Sequence, residues 1–145
     1  MNTLANNTNI PSYHEEQKVQ NILKMRAVLE ELPPFCKEFF RGIEQYTSAR
    51  TRLAYAYDLR MFFEFLHEKN SACAKMDISE IPMEYLDMLN RQDIEEYLEY
   101  VSLYQKDGKS IINEERGKSR KLDSLRSFDN YFFETEKRET TPAAL

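Results

Sequence analysis

TSARTRLAYAYDLRMFFEFLHEKN, residues 47–70, is the stretch on which the fold turns. At about 100° per residue Tyr55, Leu59, Phe62 and Leu66 fall in one narrow sector, the mark of a helix with a single buried stripe. Thr47 or Ser48 supplies a hydroxyl to cap its free N-terminal amides, and the helix runs to about Lys69-Asn70. Arg50, Leu53, Tyr57, Arg60 and Glu64 point the other way, with Arg52 flanking them.

Upstream, PFCKEFFRGIEQY predicts a helix that opens at Pro34 and buries Phe35, Phe39, Ile43 and Tyr46. Pro33-Pro34 ends the preceding segment, because proline lacks the amide donor and restricts the residue before it. That segment begins where Ser12 stands three residues before Glu15, a capping-box spacing. It keeps Val19, Ile22, Leu23, Leu29 and Leu32 near a helical repeat. Residues 1–11, rich in Asn and Thr, read as a flexible tail.

Downstream, residues 71–90 read as an irregular connector with a short helix after Pro82. Asn90 with Asp93 then opens a helix containing Ile94, Tyr97, Leu98 and Val101. KDGKSIIN reads as a loop, and Asn113 as the cap of a last helix running to about Glu134 and buried through Leu122, Leu125, Phe128 and Phe132. No alternating Val, Ile and Thr run supports a strand. The expectation is an all-α, compact bundle of four to six helices.

The 145 residues suit one domain, and nine Phe and nine Tyr supply a core. Cys36 and Cys73 have no CxxC spacing and few histidines to join them, so neither a disulfide framework nor a metal site is expected. No apolar run reaches the roughly 18 residues of a membrane span, and the N-terminus lacks a signal-peptide pattern. A cytoplasmic protein without a cofactor is the expectation.

Phosphate-cradling, HExxH and GxSxG motifs are missing. His14 and His67 sit at helix ends, and the carboxylates of 77–99 read as a solvated helix face rather than an acid/base pair. The net charge of −5 argues against indiscriminate nucleic-acid binding, but it conceals segregation. Residues 71–105 carry two basic and eight acidic side chains, whereas Arg116 to Arg126 holds five basic residues against Asp123 alone. Arg116 and Arg120 lie opposite the buried stripe of the last helix, and Lys118 and Lys121 lie nearer its core side, with stems long enough to reach past the bundle's end. With Arg50, Arg52, Tyr57 and Arg60 they give two basic helix faces, each at a helix N-terminal half where backbone amides also favour phosphate.

These residues also carry a resemblance. Thr47-Ser48-Ala49-Arg50-Thr51 followed by Tyr55, Asp58-Leu59 and Phe62-Phe63 resembles a helix of the N-terminal core-binding, SAM-like domain of tyrosine recombinases and phage-type integrases. Leu89-Asn90, Asp93-Ile94 and Tyr97-Leu98 resemble a second block of that domain. Arg120-Lys121-Leu122-Asp123-Ser124-Leu125-Arg126-Ser127-Phe128 resembles a third, and Thr141-Pro142-Ala143 resembles the entry to the catalytic domain. Asp123, Asp129 and Thr141 depart from the pattern.

The resemblance implies a core-binding domain over residues 33–135, preceded by an extension helix at 12–32 and followed at 136–145 by a linker to a catalytic domain beyond this chain. None of the nine tyrosines is then the nucleophile. It implies one arm of a clamp on double-stranded DNA, acting with other protomers in a tetramer. Arg50, Thr51, Tyr57, Arg116, Arg120 and Lys121 match groove or backbone contacts, and Arg52, Arg60 and Lys118 join them from the basic faces. The rival expectation is a helical protein-interaction module that uses the acidic residues 77–99 and the N-terminal helix.

Overall fold

A computed structural model describes residues 12–134; the expected tail at 1–11 and linker at 136–145, with Thr141-Pro142-Ala143, lie outside the described residues. The chain forms a mostly helical bundle. In order it runs α1 (Tyr13–Glu30), α2 (Phe35–Ile43), α3 (Ala49–Lys69), a short α4 (Glu84–Asp87), α5 (Arg91–Ser102), β1 (Leu103–Lys106), β2 (Lys109–Ile112) and α6 (Glu115–Glu134), with single 3-10 turns at Glu44–Tyr46, Cys73–Lys75 and Ile78–Glu80.

Three helix starts follow the expected chemistry. Ser12 Oγ accepts from Glu15 N at 3.2 Å, and Ser48 Oγ from Thr51 N at 3.1 Å. Asn90 and Asp93 close a full capping box, each side chain accepting from the other's backbone N–H at 2.9 Å. At the far end of α3, Asn70 Oδ1 accepts from Ala72 N and Cys73 N and so turns the chain out of the helix.

One apolar core joins all the long helices. Phe39 is its centre, with ring centroids 5.0–5.7 Å from Phe40, Phe128 and Tyr131. Gly42 lets Tyr131 of α6 lie against the α2 backbone where a Cβ would collide with its ring. Leu59, Phe62, Phe63 and Leu66 of α3 face this core, as do Ile94, Tyr97 and Val101 of α5 and Leu125, Phe128 and Phe132 of α6. Cys36 and Cys73 are buried free thiols, and burial pushes both up from their ordinary pKa. Among the described residues no helix is long and apolar enough to cross a membrane.

Four expectations change. The segment read as a loop is a β-hairpin, in the register Leu103↔Ile112 through Lys106↔Lys109. Its Asp107-Gly108 turn takes positive φ at both residues, 51° and 77°, the pairing that matches strand twist in a two-residue hairpin. Asn113 does not cap α6; its Nδ2 donates to the Val101 carbonyl at 2.8 Å and ties the hairpin's exit to α5. Tyr46 is 72% exposed, because α2 stops at Ile43 and a 3-10 turn rotates it off the helical stripe. In α1, Val19 and Leu23 are each 49% exposed, whereas Val28, Leu29 and the following Leu32 are buried in the common core. The C-terminal half of the extension is therefore part of the bundle.

Removing the central ring in Phe39→Ala is expected to cost about 3–5 kcal/mol in urea unfolding. A second expectation concerns alkaline pH. Tyr97 is raised well above the phenol range, by burial first and the Asp58 carboxylate next. Tyr100 is pushed up to about 12, by burial and then by Glu68. Both favour the neutral phenol in the fold, so the stability they contribute is intact below the ordinary value of 10 and lost as pH rises through their raised values, about 12 for Tyr100 and higher for Tyr97. Tyrosinate absorbance should show Tyr97 ionising only as the helical signal collapses.

Candidate nucleic-acid interface

Asp58 organises the junction of α3 and α6. Its side chain is completely buried, and three donors from α6 converge on it: Arg120 Nη1 at 2.9 Å and Ser124 Oγ at 2.6 Å to Oδ2, and Lys121 Nζ at 3.1 Å to Oδ1. Charge-assisted bonds of this kind offset the large desolvation cost of a buried carboxylate. The spacing 120, 121, 124 puts all three donors on one side of a helix, and one carboxylate thereby fixes α6 against α3. Two cations against one carboxylate leave the cluster an excess of positive charge. Arg120 carries it to the surface, since 51% of its side chain is exposed while Lys121 shows 9%.

The other expected contact residues distribute unevenly. Arg50 and Arg116 are exposed at the starts of α3 and α6, with no ion pair among the described residues. Thr51 is half-buried, its hydroxyl accepting from Ser48 Oγ at 3.0 Å. Tyr57 is exposed and lies under the Arg60 guanidinium, 5.2 Å from ring centroid to Cζ. Arg60 itself bonds Glu31 Oε2 at 3.1 Å, beyond the end of α1. Lys118 pairs with Glu115 at 2.8 Å within the first turn of α6. The acidic departure at Asp123 is met by Arg126, 3.3 Å away. Asp129 is buried.

Arg52 and Lys121 do not stand at the surface. Arg52 is 4% exposed, and its Nη1 donates to the Glu44 and Thr47 carbonyls and to Thr47 Oγ1. It closes the corner between α2 and α3, where the chain leaves helical geometry and carbonyls lack helical partners. Lys121 turns inward to Asp58 because a buried carboxylate on the adjacent helix α3 outcompetes water for its ammonium. Asp58 is the residue that periodicity overlooked. Its position, one residue before Leu59 on the edge of the apolar stripe, was the available signal, since an acid at such an edge requires cations opposite it.

No protein-family model matches the chain, and no solved structure matches it. Over 113 residues the chain is 30% identical to tyrosine recombinase XerC of Caldanaerobacter subterraneus subsp. tengcongensis, covering 72% of this chain and 30% of that protein. The chain thus spans less than a third of the length of this curated relative. The similarity supports a recombinase-related protein.

Asp58→Ala strands the Lys121 ammonium in the interior and should cost about 3–5 kcal/mol in chemical denaturation. Arg120→Ala, removing a half-exposed partner while Lys121 and Ser124 stay, should cost about 1 kcal/mol or less.

Proposed function

We propose that this chain is the DNA-binding, core-binding SAM-like domain of a tyrosine recombinase, one arm of a clamp that holds a recombination half-site for strand exchange among four protomers. The observation that carries the reading is the Asp58 cluster. It sets the N-terminal part of α6 beside α3, so that Arg116 and Arg120 stand on the helix next to the one that bears Arg50 and Tyr57. Similarity to a tyrosine recombinase over 72% of the chain supports the same assignment.

In this reading the contacts divide by chemistry. Arg50 at the start of α3 and Arg120 at the rim of the cluster bind backbone phosphates, aided by helix N-terminal dipoles. Arg120 has given Nη1 to Asp58, which orients the guanidinium and leaves its other N–H donors for the duplex. Arg116, free of such a tether, is the residue placed to fork onto guanine O6 and N7, a contact worth roughly 1–3 kcal/mol of discrimination. Tyr57 and Thr51 line the approach. Arg60 and Lys118 reach DNA only by exchanging Glu31 and Glu115 for phosphate. Arg52 and Lys121 act from inside by holding α3 and α6 in place. Cleavage and rejoining belong to a catalytic domain of the parent recombinase.

Titration of a fluorescent duplex at several salt concentrations tests this. Binding should weaken as salt rises, and Arg120→Ala should reduce the log–log slope by about 0.9. Arg116→Ala should also flatten the preference for one base pair. Affinity independent of salt would replace this reading with a protein-interaction module.

A further inference from the structure

The extension helix α1 and the start of α3 line a cleft of about 590 Å³, of which the contacts above use Arg50 alone. Its walls carry His14 and Lys18 from the first turns of α1, the N-cap Ser48, and Arg50 and Arg52 from α3, with Glu44 as the acidic member. Three permanent cations therefore face one carboxylate in a chain whose net charge is −5. Lys18 and Arg50 are exposed and, among the described residues, make no ion pair. Arg52, 4% exposed, lines the same cleft. Its Nη1 is occupied by carbonyls, but its Nε has no hydrogen-bond partner. Two free cations, the largely buried guanidinium of Arg52 and the N-terminus of a 21-residue helix meet in one concavity. That combination suits an anion with several acceptor oxygens.

Building on the DNA-binding reading, we propose that this cleft seats a phosphate of the duplex backbone, with Lys18 of the extension helix and Arg50 of α3 as its two cations. The extension then lengthens the DNA contact beyond the reach of α3 and α6. The exposed Val19 and Leu23 do not interfere, because at about 100° per residue they fall on the opposite side of α1 from His14 and Lys18. The cleft also gives Arg50 a partner for its charge, which nothing else described in the fold provides.

The test compares two variants of the full chain, Lys18→Gln and Lys24→Gln, in salt-dependent titrations of a labelled duplex by fluorescence anisotropy. Both lysines are exposed on α1 and the charge change is the same, but Lys24 lies outside the cleft. Unchanged melting curves establish that both variants fold. Lys18→Gln should lower the magnitude of the log–log slope by about 0.9 and weaken binding equally for all duplex sequences, with Lys24→Gln matching the parent chain. If the parent binds with normal salt dependence and the two variants behave alike, the cleft proposal falls and the DNA-binding reading stands. If the parent itself shows no salt-dependent binding, both fall.

Discussion

A single buried carboxylate sets the geometry on which the proposed interface depends. Asp58 lies where α3 meets α6, close enough to Tyr97 of α5 to affect its ionisation, and it has no access to water. A bare carboxylate there costs several kcal/mol. The fold offsets that cost only by presenting Arg120, Lys121 and Ser124 together, which fixes both the rotation of α6 and its position along its own axis. Apolar packing by Leu125, Phe128 and Phe132 tolerates small slides of one helix over another; a carboxylate with three short bonds does not.

The distribution of charge follows from the same economy. Most of the basic residues that give the sequence its two cationic faces are already engaged: Arg60 with Glu31, Lys118 with Glu115, Arg126 with Asp123, Lys121 with Asp58. The first three of these pairs lie at the surface, where ion pairs are weak and partners exchange readily; the fourth is buried. What remains unneutralised is small in number and concentrated near the starts of α3 and α6. An acidic protein can attract a polyanion on these terms, because the field at a surface reflects local excess rather than the total.

The helices were legible in the sequence because their signals are local. The alternation of apolar and charged positions along residues 47–70, the capping hydroxyl of Ser48 and the Asn90/Asp93 box all lie within a few residues of the elements they define. The hairpin was harder to read, since its strands are only four residues long and one face is solvent. Its Asp107-Gly108 turn was nevertheless present as a signal. The partner of a buried charge was not legible at all. That Lys121 reaches Asp58, 63 positions earlier, and that Arg52 serves the corner it stands on, depend on how helices cross in space. Periodicity assigns a residue to a face; it does not say whether an acid waits on the neighbouring helix.

The four residues of the Asp58 cluster cannot vary independently. Replacing the carboxylate first leaves an ammonium without a counter-charge, and replacing the ammonium first leaves the carboxylate with one fewer partner. A drift toward an all-apolar junction, which buried ion clusters frequently tolerate as a finished state, has to pass through an unstable single substitution. The coupling is thus an epistatic lock: it preserves the relative placement of two surfaces whose own residues remain free to diverge.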